Sequence, residues 1–152
     1  MADLEVRAEV IIGRAEGDHV SIQVLGRLHV GADDFWDGNW LITPTKVVAG
    51  GFRGESGASL RAEELVGIRQ SLEQVYASLE GDAILDSMES WLTLGVAGDG
   101  SGRLRVTGRI IDRLGVSNEL SFRIAELDQS DLPSIIESLQ EIETLFPVLG
   151  RP

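Results

Sequence analysis

RAEELVGIRQSLEQVYASL, residues 61–79, decides the fold class. Its apolar positions Leu65, Ile68, Leu72, Val75 and Leu79 recur at spacings of three and four, the stripe of an amphipathic α-helix. Glu63 and Glu64 fall in the first turn, where the helix dipole favours anions. Leu60 and Leu65 are placed to form a hydrophobic staple, and Gly81 is a stop signal. The stretch predicts a helix over Arg61–Leu79.

Upstream the period is two. Leu4, Val6, Ala8, Val10 and Ile12 alternate with Glu5, Arg7 and Glu9, and Val20, Ile22 and Val24 alternate with Ser21 and Gln23. These read as half-buried strands over 4–12 and 20–30, joined at Glu16-Gly17-Asp18. A third strand covers Trp40 to Ala49, where Pro44, which cannot donate to a ladder, calls for an edge or a bulge. Gly50, Gly51, Gly54 and Gly57 mark a loose connection to the helix.

Downstream the plan repeats. Ala83–Val96, Arg103–Asp112 and Glu119–Leu127 read as strands, with turns at Gly98–Gly102 and Gly115–Asn118. Leu132, Ile135, Ile136, Leu139, Ile142 and Phe146 make a second helix over Asp131–Phe146, capped by Ser130 or Asp131, with Pro133 tolerated in its first turn. The expectation is one α+β domain over residues 1–152. It has a six-stranded, mainly antiparallel sheet structure and two amphipathic helices in the order βββα-βββα. A shift of 82 residues lays Ile22, Val24 and Gly26 on Leu104, Val106 and Gly108, and a shift of 67 lays Leu65 and Ile68 on Leu132 and Ile135. Such matches arise from an internal pseudo-repeat, or from amphipathic patterns that align by chance.

Composition narrows the function. The chain has no cysteine, which excludes disulfides, thiolate nucleophiles and thiolate zinc sites. No leader pattern is visible and no run approaches the ~18 apolar residues of a membrane helix, so a cytoplasmic protein is expected. Twenty-five acids against thirteen bases give a net charge of −12, which opposes nucleic acid and anionic membranes and favours a cationic partner.

Catalytic patterns are sparse. His19 and His29 are the only histidines, and no Ser sits in a nucleophile elbow. Paired carboxylates such as Asp33/Asp34 or Asp86/Glu89 have no sugar-binding constellation around them. Metal-ligand spacing is missing, and Gly98–Gly102 leads into a strand where a phosphate loop needs a helix. Neither a cofactor, nor a metal, nor an enzymatic activity is expected.

Asp33-Asp34-Phe35-Trp36-Asp37-Gly38-Asn39-Trp40-Leu41 stands out in a chain with three Trp, four Phe and one Tyr. Asp37-Gly38 reads as a tight turn. The segment is either a rim loop anchored by aromatics or an exposed aromatic-plus-acid recognition surface. Trp40 and Trp91 are expected to be mostly buried.

The acids cluster as well. Glu73, Glu80, Asp82, Asp86, Glu89 and Asp99 lie between Arg69 and Arg103 with no base among them. Glu126, Asp128, Asp131, Glu137, Glu141 and Glu143 lie likewise between Arg123 and Arg151. The candidate partner-binding residues are therefore Asp33, Asp34, Trp36, Asp37, Glu73, Glu80, Glu137 and Glu141. Arg103, Arg105 and Arg109 share one strand face and read as structural, opposite Glu119 or Glu89.

Several motifs carry a family resemblance. They are Asp37-Gly38-Asn39-Trp40-Leu41, Glu63-Glu64-Leu65, Glu89-Ser90-Trp91-Leu92, Asn118-Glu119-Leu120-Ser121-Phe122, Asp128-Gln129-Ser130 and Phe146-Pro147. With them the chain resembles the WapI-type immunity proteins, cytoplasmic antidotes to WapA-like contact-dependent nuclease toxins, over nearly its full length. The resemblance implies binding and neutralisation of a cognate, basic nuclease toxin, and it carries over no catalytic residues. The alternative is a non-enzymatic small-ligand-binding or scaffold domain.

Overall fold

The structure, a computed structural model, describes residues 4–152 and all side chains among them but those at 125 and 126. The chain runs β1 (Ala8–Gly13), β2 (His19–Val24), β3 (Gly26–Arg27), α1 (Phe35–Gly38), β4 (Leu41–Ile42), β5 (Thr45–Ala49) and β6 (Phe52–Ser56). It continues as α2 (Ala62–Ser78), β7 (Glu80–Asp86), β8 (Leu92–Asp99), β9 (Arg103–Ile111), β10 (Glu119–Asp128), a 3-10 turn (Gln129–Asp131) and α3 (Leu132–Leu145).

The class is α+β with antiparallel pairing, as expected. The single six-stranded arrangement is not what forms. Strands assemble into two four-stranded sheets, in the orders β1-β2-β5-β6 and β10-β9-β8-β7, and a two-stranded ribbon of β3 and β4.

Three local causes produce the difference. Pro44 divides the expected third strand, so Leu41–Ile42 pairs with β3 while Thr45–Ala49 pairs with β2. The glycine-rich connection is a hairpin: Ala49 faces Phe52 across Gly50-Gly51, and Gly50 takes φ 61, a left-handed value that suits glycine. The expected Ala83–Val96 strand folds back at residues 87–91 and becomes β7 and β8.

The order βββα-βββα is lost with these changes. The 82-residue shift pairs β2, the second strand of its sheet in chain order, with β9, the third strand of the other sheet in chain order.

The helices form where the 3.6-residue period runs. α2 buries Ala62, Leu65, Ile68, Leu72 and Val75, and α3 buries Leu132, Ile135, Ile136, Leu139 and Ile142. α2 stops at Leu79 (φ 61) and not at Gly81; Glu80 already begins β7. α2 lies along β7, α3 lies along β1, and the two helices meet, so the pair bridges the outer strands of both sheets. One apolar cluster results, with Val10 and Ile12 from β1 and Leu94, Val96, Leu104 and Val106 from the second sheet. Leu4 and Val6, the start of the expected first strand, stay exposed and unpaired with β2, whose register begins at Ala8.

Candidate recognition surface

The aromatic-acid segment folds as α1, not as a hairpin turn. Asp34 caps it, its Oδ2 accepting from the Asp37 N–H at 3.1 Å. Gly38 needs no positive φ. It is required because a Cβ there would stand 2.9 Å from the Ala32 carbonyl and 3.1 Å from Leu149 Cδ1. A helix of four residues leaves its carbonyls without intrahelical partners. The rest of the chain supplies them.

Arg61, the N-cap residue of α2, is the main supplier. Its side chain is 1% exposed. Nη2 donates to the Phe35 carbonyl at 2.7 Å, Nη1 to the Trp36 carbonyl at 2.8 Å, and Nε to Glu63 at 2.6 Å. The guanidinium also stacks on Trp40 at 4.7 Å and on Phe35 at 5.2 Å. A buried charge is tolerable only when paired and hydrogen-bonded, and this fork meets both conditions.

Asn39, fully buried, ties the same loop to the chain's last turn: Nδ2 donates to the Phe35 and Leu149 carbonyls at 2.9 Å, and Oδ1 accepts from the Leu149 N–H at 2.8 Å. Arg27 donates to the Gly38 carbonyl at 2.8 Å and the Pro147 carbonyl at 2.7 Å.

On this frame Asp33, Asp34 and Asp37 are exposed, and Trp36 presents 55% of its surface to solvent. Phe35 stays partly buried and meets Trp36 edge-on at 5.0 Å. Val30, three residues upstream of Asp33, is 94% exposed. Both readings of the segment therefore apply, to different residues: Phe35 and Trp40 anchor, while Trp36 and the acids face outward. Trp40 and Trp91 each keep only a minority of their surface exposed, as expected of mostly buried residues. Trp40 spends one face on Arg61; Trp91 packs on the core edge, with its Nε1 unpartnered among the described residues.

The other candidate acids separate. Glu137 and Glu141 are exposed on α3, opposite its apolar stripe. Glu73 is engaged: its Oε1 accepts from Arg69 at 3.1 Å and from Gln140 at 3.2 Å, while Arg69 Nε reaches Glu143 at 2.9 Å. Arg69 thus joins the helices and neutralises Glu73 locally. Glu80 starts β7, beyond the whole length of α2 from the α1 loop, about 25 Å at 1.5 Å per residue. The Glu126 side chain lies outside the described residues.

Glu64 is the most perturbed carboxyl of α2. Burial raises its pKa above the usual 4.5, against the opposing effect of hydrogen bonds from the Arg61 and Met88 N–H groups at 2.8 and 2.6 Å. It closes one half of a capping box and pins the β7–β8 turn. Asp99 and Asp112 are lowered instead, chiefly by Ser101 and Asn118 donors. Among the described residues no three His, Asp or Glu side chains group as metal ligands would. No helix among them is long and apolar enough to cross a membrane.

Arg61, Asn39 and Arg27 escaped the sequence reading. An Arg ahead of Glu-Glu-Leu reads as a solvated helix start, and only the excess of aromatics in one short loop hints at a cation to stack on them.

The family model described as Immunity protein WapI-like family matches residues 11–147, from β1 to just past α3. No curated protein and no solved structure matches the chain.

Proposed function

Because this chain belongs to the WapI-like immunity protein family, we propose that it binds and neutralises one cognate toxin, a basic nuclease of a contact-dependent or polymorphic toxin system. The encounter takes place in the cytoplasm and involves no catalysis by the immunity protein. A nuclease must carry Lys and Arg to hold phosphates, so carboxylates offer it the charge its substrate would.

The observation that supports this most is the exposure of Trp36 among Asp33, Asp34 and Asp37 on a loop held rigid from beneath by Arg61. A pre-organised Trp ringed by charge suits the centre of an interface, since little ordering entropy is lost on docking. Glu137 and Glu141 extend the acidic field along α3, whereas Glu73 is neutralised by Arg69 and Glu80 lies too far from the α1 loop to join it. Charges of this kind raise the association rate, while the aromatic anchor slows dissociation.

Surface plasmon resonance against the cognate toxin domain separates these roles. Trp36→Ala should speed dissociation by about tenfold or more. Asp33→Asn with Asp37→Asn should slow association, most strongly at low salt. If both variants bind as the parent does, the contact lies elsewhere.

A further inference from the structure

We infer that the outer face of the second sheet is a docking surface for a second copy of this chain. The register aligns Asp82 on β7 with Ala97 on β8, and Ala97 with Arg105 on β9. The neighbouring rows are Ile84–Gly95–Thr107 and Asp86–Thr93–Arg109. At the far end Glu80 pairs with Asp99, and Arg103 opens β9. One strand therefore carries acids and the next but one carries arginines, with a shallow groove over Gly95 and Ala97 between them. Arg109 reaches Glu119 on β10, as read from the sequence, whereas Glu89 sits in the β7–β8 turn. Among the described residues Asp82 and Asp86 make no ion pair, and on β10 the strand opposite Arg105 runs through residues 125 and 126, whose side chains lie outside the described residues. Ile84 is 61% exposed in the middle row, which is uncharged over β7, β8 and β9 and ends at Arg123 on β10.

This pattern is complementary to itself under one symmetry operation. A two-fold axis in the interface, parallel to β8, exchanges the positions of β7 and β9. It sets Asp82 of each copy over Arg105 of the other, Asp86 over Arg109, and Ile84 over Thr107. An axis across the strands would set acids on acids, so the isologous arrangement is specified by charge. The small side chains of β8 permit sheets to approach to about 10 Å. Under this axis β7, β8 and β9 overlap while β10 lies outside, and three strands of about seven residues give a footprint near 340 Å² per copy. That is about 700 Å² in all, below the standard specific interface, so the dimer is weak and transient. The face shares nothing with the α1 loop.

Sedimentation velocity through the micromolar range tests this without any toxin. The parent chain should self-associate. Asp82→Arg and Arg105→Glu, both at exposed positions, should each weaken the dimer at least about tenfold, because like charges then face one another twice. An equimolar mixture of the two variants should recover a mixed dimer, since Arg at 82 meets Glu at 105 and Asp82 meets Arg105. A charge pair made within one chain would gain nothing from mixing. A parent that stays monomeric, single variants that dimerise as well as the parent, or a mixture that fails to recover would each overturn the inference.

Discussion

Asn39 grips Leu149 by both backbone groups, taking its N–H at 2.8 Å and giving to its carbonyl at 2.9 Å, as a neighbouring strand would. The same amide also completes the Phe35 carbonyl. Asn39→Ala leaves the Leu149 N–H and carbonyl without their partner and the Phe35 carbonyl with Arg61 alone, and leaving such groups unpaired is costlier than the bonds are worth. The expected loss is about 2–4 kcal/mol, read as a lower denaturant midpoint. A loss below the value of one ordinary hydrogen bond would mean that water reaches these groups.

Arg61 is the second support of α1. Arg61→Leu should cost about 3–5 kcal/mol, because it leaves Glu63 and the Trp36 carbonyl without their donor and the Phe35 carbonyl with Asn39 alone. Arg61→Lys should recover little: a point ammonium cannot span the Phe35 and Trp36 carbonyls or lie flat on Trp40. Adding Glu63→Leu to Arg61→Leu should cost less than the two changes separately, as measured by a double-mutant cycle. Additive losses would show that the pair is not coupled.

Two glycines should respond in opposite directions to alanine. At Gly108 a Cβ would stand 2.4 Å from Phe122 Cζ and 2.7 Å from the Thr93 carbonyl, so Gly108→Ala should destabilise by about 2–3 kcal/mol or more. The Phe122 ring covers that glycine in the cross-strand pair, as aromatic rescue of a strand glycine requires. At Gly67, inside α2, nothing lies within 4 Å, and Gly67→Ala should stabilise by about 0.5–1 kcal/mol. Thermal denaturation of the two variants decides both signs.

Glu64 sets a pH dependence that a difference measurement isolates. Its folded pKa is raised above 4.5, so between that value and the raised one the folded state holds more of the proton. The stability it contributes is full below the unfolded pKa and is lost as pH rises through the folded one. The advantage of the parent over Glu64→Gln should accordingly shrink as pH climbs from about 4 to 7. An advantage that grows over that range would show that the Arg61 and Met88 donors outweigh burial.

The parts legible in the sequence were those with a long, uninterrupted period. α2, α3, β9 and β10 appear where spacing alone puts them, within a residue or two at either end. Phe52–Ser56 has no alternation; its register is imposed by the two-residue turn before it, which a count of glycines reads as slack. α1 is below the length at which a helix holds itself together, and it exists because Arg61 and Asn39 complete its carbonyls from a distance. The outward faces of Trp36, Glu137 and Glu141 could be anticipated, whereas the engagement of Glu73 by Arg69 and Gln140 required helix packing to be known. Similarly, alternation shows that Arg103, Arg105 and Arg109 share a face. That Arg105 and Arg109 each stand in a row with an acid two strands away depends on register, which single-strand patterns do not contain.

The Asn39–Leu149 clasp joins positions 110 residues apart, and this imposes an order on synthesis. At about 5–20 residues per second, the α1 loop leaves the ribosome's catalytic centre some 5–20 s before the residue that fastens it is made. Through that interval Asp33, Asp34, Trp36 and Asp37 are already translated and still lack their underlying frame. A product released early, just after α3, would contain every one of those side chains without the shape that displays them.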